Sequence, residues 1–183
     1  LTRARLRKGQ TLVVTGASGG VGTALIQLAK LREAYVIGIT SLEKFDLVKD
    51  CGADSVLDRN EKELKSNIIE LAQGPVDVLA DVAGGNNFVQ LFETITRGGC
   101  YVTAGAIAGP IVDLDLRTLY LNDIEMHGCT VYDPAVFKLL TEYIENEKVR
   151  PIIGGVFRLD EIREAQKEFS KKQHVGAMVL TVD

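Results

Sequence analysis

The residues Thr15-Gly16-Ala17-Ser18-Gly19-Gly20-Val21-Gly22 have the types and spacing to hold a phosphate. Glycines carry no Cβ to keep an anion off the backbone, and the unpaired N–H groups of a helix start converge, with the positive end of its dipole, on one point. Ser18, Gly19, Gly20 and Val21 would then surround the pyrophosphate of a dinucleotide. A glycine run by itself also fits an ordinary tight turn. Context separates the two readings: Thr11-Leu12-Val13-Val14 before it reads as a buried strand, and residues 21–31 after it repeat apolar side chains at helical spacing.

Other candidates fall where strands should end. NAD-selective folds close the second strand with Asp or Glu, whose carboxylate bonds the ribose hydroxyls and repels a 2′-phosphate. Here that position is Thr40. Ser41, Lys44 and Arg59 can each donate to an anion, so NADPH is the expected cofactor and NADH the weaker ligand; the plain reading of Lys44 and Arg59 is solvated helix and loop charge. Val82-Ala83-Gly84 and Gly105-Ala106 close two later strands at the sheet edge where ribose and nicotinamide would lie, and otherwise read as strand and helix punctuation. Asp81 reads as a loop or cap acceptor, and no residue is assigned as catalytic. His127 and Cys129 share a strand face, but two ligands without a third make no zinc site, so packing is their expected role and no metal is expected.

Positioning these residues requires alternating strands and helices. The pattern predicts a second strand over 35–40, a helix capped by Ser41 and ended by Gly52, and a short strand over 54–58. A helix over 61–73 follows, stopped by Gly74-Pro75, then a strand over 76–82, a helix over 88–96 ended by Gly98-Gly99, and a strand over 101–104. Residues 105–123 are irregular, with Gly109-Pro110 and room for a short helix at 116–121. A strand over 124–131 and a helix over 134–145, with Pro134 in its first turn, complete the alternation. The expectation is an α/β fold, a doubly wound parallel six-stranded sheet of the Rossmann kind in the order 3-2-1-4-5-6. Residues 1–8 read as the end of a linker helix, 9–148 as the dinucleotide-binding domain, and 149–183 as a β-α-β tail that leaves the winding. Strands in such a tail need partners from a neighbouring layer, so the chain is expected to be a piece of a longer one.

Composition limits the functional classes. The chain has 183 residues, 46% hydrophobic and 25% charged, and no apolar run nears the ~18 residues of a membrane span, so one main soluble domain is expected, without a membrane partner. A net charge of −4 disfavours a general nucleic-acid surface. Cys51, Cys100 and Cys129 lie far apart with no Cys-x-x-Cys pair, and no signal sequence is visible, which suits reduced thiols in a cytoplasm.

Several motifs stand in one register. Gly9-Gln10-Thr11-Leu12-Val13-Val14 leads into the glycine turn; Gly52-Ala53-Asp54, Asp81-Val82-Ala83-Gly84-Gly85, Arg97-Gly98-Gly99 and His174-Val175-Gly176-Ala177-Met178-Val179-Leu180 follow. Together they resemble the cofactor-binding half of the medium-chain dehydrogenases/reductases, most closely the zinc-independent quinone oxidoreductase branch. The resemblance implies hydride transfer from NADPH to a quinone, enone or related carbonyl. It implies an amino-terminal GroES-like domain, absent from this chain, which carries most of the small-molecule substrate pocket and to which residues 149–183 return. It also implies that the fragment binds cofactor without turnover and that strand 124–131 pairs two copies into a homodimer. In such enzymes the positions matching Lys44, Arg59 and roughly Lys172 line the adenosine phosphate, an aromatic residue being more usual where Arg59 stands. An enoyl reductase part of a multidomain synthase, a zinc-type alcohol dehydrogenase relative and a non-catalytic NADPH-sensing module remain as alternatives. Short-chain dehydrogenases share the pattern Thr15-Gly16-x-x-x-Gly20-x-Gly22, but their Tyr-x-x-x-Lys pair is missing. Tyr35, Tyr101, Tyr120, Tyr132 and Tyr143 are followed four places on by Ile39, Gly105, Ile124, Val136 and Glu147.

Overall fold

A computed structural model of the protein describes residues 1–131 and 133–182. Six strands form one parallel sheet: β1 (Thr11–Thr15), β2 (Tyr35–Thr40), β3 (Ser55–Asp58), β4 (Val76–Asp81), β5 (Ile95–Thr103) and β6 (Glu125–Gly128). Their order is β3-β2-β1-β4-β5-β6, the doubly wound order the sequence predicts. Helices α1 (Gly20–Lys30), α2 (Phe45–Asp50), α3 (Leu64–Ala72), α4 (Phe88–Phe92) and α5 (Leu116–Leu121) lie between strands, and α6 (Pro134–Glu145) follows the last.

A sheet covered on both faces needs strands that are apolar throughout, and the side chains of β1 show the division. Leu12 and Val14 enter the core shared with Ile26 and Ala29 of α1. Val13, pointing the other way, joins Leu64 and Ile68 of α3 and Phe88 and Phe92 of α4. The two cores clamp the sheet, and its carboxyl edge is held as a rigid platform.

Several boundaries differ from the sequence reading. The helix expected over 88–96 stops at Phe92: Thr94 Oγ1 donates back to Leu91 O (2.7 Å) in the turn that follows, and the β-branched residues Ile95-Thr96 begin a strand instead. Gly98-Gly99 is therefore no helix stop: it lies inside β5, where the register shifts and Gly98 takes φ +72°. The final strand of the sheet spans only Glu125–Gly128, with Cys129 N donating to Thr103 O (2.8 Å) beyond it. After β2 the chain makes a 3-10 turn, Leu42–Lys44, before α2, and Ser41 at its start gives no side-chain cap bond.

Residues 2–5 form a turn, closed by Arg5 N donating to Thr2 O (3.1 Å), and Ala4 and Leu6 pack into the core. Beyond α6, β7 (Ile153–Arg158) and β8 (Ala177–Thr181) pair in parallel as a separate two-stranded sheet, joined through a 3-10 turn and α7 (Ile162–Lys171). This unit is tied to the main body at few points. Gln27 Nε2 donates to Arg150 O (3.0 Å), Arg150 N donates to Gln27 Oε1 (2.8 Å), and Gly176 N donates to Ser18 O (2.8 Å). Among the described residues no helix is long and apolar enough to cross a membrane.

Candidate dinucleotide-binding site

The glycine turn sits where β1 meets α1, and its glycines serve different ends. A Cβ on Gly22 would stand 2.3 Å from Gly16 O, so this glycine lets α1 close against the turn. A Cβ on Gly20 would meet nothing nearer than Ala177 Cβ at 3.8 Å, so no packing demand accounts for that glycine. Gly19, Gly20 and Val21 are exposed at the start of an eleven-residue helix whose N-terminus has no side-chain cap and no acidic residue in its first turn. The first N–H groups of a helix have no intrahelical partner, and here they meet no carboxylate that would repel a phosphate.

Asp81, 1% exposed, fixes the neighbouring turn. Its Oδ1 accepts from Thr15 Oγ1 (2.5 Å), Ala83 N (3.0 Å) and Gly84 N (2.9 Å), while Oδ2 accepts from Tyr101 Oη (3.0 Å). Thr15 Oγ1 in turn accepts from Val82 N at 3.0 Å. Burial, and then the Asp81 carboxylate, push the Tyr101 phenol well above its ordinary pKa, so it stays a neutral donor. Gly84, at φ +65°, lies so close to the loop after β5 that a Cβ would stand 2.6 Å from Gly109 O. Ala108 N donates to Ala83 O (2.8 Å) and Gly85 N to Gly109 O (3.0 Å), so this loop folds back over the turn after β4.

Between these turns lies a cleft of about 460 Å³, within the range of small-molecule sites. Of the residues singled out from sequence, Ser18, Thr40, Arg59, Ala83 and Gly84 line it. Thr40 Oγ1 donates to Ser18 Oγ (3.0 Å), and Arg59 N donates to Thr40 O (2.7 Å), which joins the glycine turn to the ends of β2 and β3. Gly19, Gly20 and Val21 sit at the helix start; Val82, Gly105 and Ala106 belong to the two folded-back turns, where a Cβ on Gly105 would stand 3.0 Å from Val82 O. Ser41 opens the 3-10 turn. Lys44 Nζ donates to the carbonyls of Lys172 (2.6 Å) and His174 (2.8 Å) in the C-terminal segment. Sequence reasoning missed Asn60, Glu61, Asn86, Asn87 and Ile107 in the cleft wall, Glu61 being the one carboxylate among the lining residues. Asn87 Nδ2 bonds Arg59 O (2.7 Å); a polar pair directly after Gly84-Gly85 was the signal available for it.

This arrangement fits a dinucleotide. A Gly20 that no steric clash requires, a helix start without a side-chain cap and a strand end bearing a hydroxyl match pyrophosphate and ribose phosphate. Zinc does not fit. Among the described residues no group of three or more His, Cys, Asp or Glu is placed to hold a metal, and His127 Nε2 contacts Glu125 (3.2 Å).

A family model described as zinc-binding dehydrogenase matches residues 20–146. The chain is 34% identical over 188 residues to an acryloyl-coenzyme A reductase of Metallosphaera sedula, covering 99% of this chain and 53% of that protein. It is 28% identical over 190 residues to a quinone oxidoreductase-like protein 2 homolog of Nematostella vectensis, covering 97% and 52%. The crystal structure of a putative alcohol dehydrogenase from Sinorhizobium meliloti 1021 superposes with TM-score 0.95 at 45% identity, over 100% of this chain and 51% of that one. The chain spans about half the length of the curated relatives it matches. Relatives differ in cofactor: some are named NAD-dependent alcohol dehydrogenases, and a mycobacterial protein 25% identical was solved with NADPH. Fold, glycine turn and matched span agree, and the chain belongs to the zinc-binding dehydrogenase family, as the cofactor-binding half of a medium-chain oxidoreductase.

Proposed function

We propose that this chain is the NADPH-binding half of an oxidoreductase that reduces an electron-poor double bond or carbonyl: a quinone, an enone or an enoyl thioester. The observation that carries the cofactor reading is the end of β2, which closes on the Thr40 hydroxyl, bonded to Ser18, rather than on a carboxylate that would repel a 2′-phosphate. When bound, NADPH supplies the hydride from its nicotinamide ring. The chain's own residues bind and orient. Backbone amides at Gly19, Gly20 and Val21 hold the pyrophosphate, and Thr40, Ser41, Lys44 and Arg59 the adenosine ribose and its phosphate. Val82-Ala83-Gly84 and Gly105-Ala106 face the nicotinamide ribose, held in place by Asp81 and the loop bonds from Ala108 and Gly85. Of these substrate classes, the quinone and the enoyl thioester are supported by the names of two relatives, the quinone oxidoreductase-like protein and the acryloyl-coenzyme A reductase.

Separate measurement of binding and turnover tests the reading. Calorimetry should detect NADPH binding to this chain, while NADPH oxidation with a benzoquinone or a crotonyl thioester should require the full-length parent, because two reactants must be held by both walls of a cleft. No heat of binding, or oxidation by the chain alone at the parent's rate, overturns it.

A further inference from the structure

Lys44 stands between two parts of the molecule that the winding does not connect. Its ammonium donates to Lys172 O (2.6 Å) and His174 O (2.8 Å), and its third N–H has no partner among the described residues. Two residues further on, Gly176 N donates to Ser18 O (2.8 Å), so the same segment lies across the glycine turn. Gly176 adopts φ +79°, and a Cβ there would stand 2.1 Å from Ile152 O; the segment is shaped to this path.

The surrounding charge is unbalanced. Arg59 makes no side-chain hydrogen bond or ion pair among the described residues, and the Lys172 ammonium rests over the Phe169 ring, 3.6 Å from its centroid. Burial lowers the pKa of Lys44, and Arg59 and Lys172 lower it further; Glu43, bonded to Ser41, is the one counter-charge acting on it. Against Lys44, Arg59 and Lys172 stand Glu43 and the Glu61 that lines the cleft beside Arg59, so positive charge is in excess at the mouth of the segment.

We propose that Lys44 is a positioning residue that couples this segment to the cofactor: it holds the carbonyls of Lys172 and His174 and offers its remaining N–H to the 2′-phosphate of the adenosine. Ordering of residues 172–177 over the glycine turn and binding of a 2′-phosphorylated cofactor then favour each other, by the reciprocity of linked equilibria. The coupling rests on the NADPH reading above. It also gives Lys44 and Arg59 different parts, since Arg59 meets the phosphate without touching the segment.

Amide hydrogen exchange of residues 172–177, followed with NADPH, NADH and 2′,5′-ADP, tests this. In the unaltered chain NADPH and 2′,5′-ADP should protect the segment about tenfold more than NADH does, the order of one charge-assisted hydrogen bond. Lys44→Met, which keeps the aliphatic stem, should speed exchange in the free protein and abolish the extra protection. Arg59→Met should weaken NADPH while leaving the free segment as protected as before. The proposal is overturned if Lys44→Met leaves exchange unchanged, or if NADPH binds more tightly than NADH yet protects the segment no better. Equal affinity for NADPH and NADH overturns the cofactor reading and the coupling together.

Discussion

Asp81 shows how a residue's position can be legible while its role is not. Its place at the end of a strand beside the cleft follows from the alternation of apolar runs, and acceptor is the role expected of a carboxylate there. The four donors that converge on it come from Thr15, Ala83, Gly84 and Tyr101, sixty-six residues apart at the widest in the case of Thr15, and no local pattern announces them. Tyr101 offers a direct test. Its folded pKa is raised above the ordinary value of 10.0, so the stability it contributes is complete below that pH and is lost as pH rises beyond it. Tyr101→Phe should cost roughly 1–2 kcal/mol at neutral pH, by leaving Asp81 Oδ2 without its donor, and should flatten the decline of stability between pH 9 and about 11. Urea unfolding across that range checks both; an equally steep decline in the variant contradicts the assigned network. Lys44 and Arg59 were legible as cations near the end of β2, but the bonds from Lys44 to the carbonyls of Lys172 and His174 join positions well over a hundred residues apart.

Strands were more legible than helices. β1 and β2 at the centre of the sheet are buried almost throughout and appear as near-continuous apolar runs, and β2 and α6 have the bounds expected. The helix before β5 was drawn too long because Gly98-Gly99 resembles a helix stop, whereas the positive φ of Gly98 serves a bulge. β6 was also overdrawn, and its four residues form the edge of the sheet. Cys129 N points to Thr103 on β5, and by the alternation of strand N–H groups that of Gly128 faces away from the sheet. Met126 in this strand and Tyr120 and Leu121 of α5 before it are exposed apolar side chains. We propose that two copies pair along this edge, since open edges invite such pairing. Light scattering at high micromolar concentration should find a dimer, and Gly128→Pro, which removes an outward donor, should give monomers. A monomeric parent chain, or a dimer unaffected by the proline, contradicts this.

The whole molecule combines a sheet clamped by two cores with a small β7-β8 unit whose Gly176 reaches the glycine turn at the sheet's carboxyl edge. The winding order was legible because right-handed crossovers between parallel strands leave few alternatives. The path of residues 172–177 over the glycine turn was not, because its anchors are one lysine and the backbone bond from Gly176 to Ser18 rather than a repeating pattern. Cofactor choice is the point on which the account depends, and it rests on Thr40 and the cations around it. Calorimetric titration of NADPH and NADH into the unaltered chain and into Arg59→Met decides it. Losing one charge-assisted phosphate contact, about 1.5–3 kcal/mol, should weaken NADPH roughly ten- to a hundredfold and leave NADH almost unchanged, with NADPH the tighter ligand in the unaltered chain. Equal losses for both cofactors, or tighter binding of NADH by the unaltered chain, would contradict the assignment.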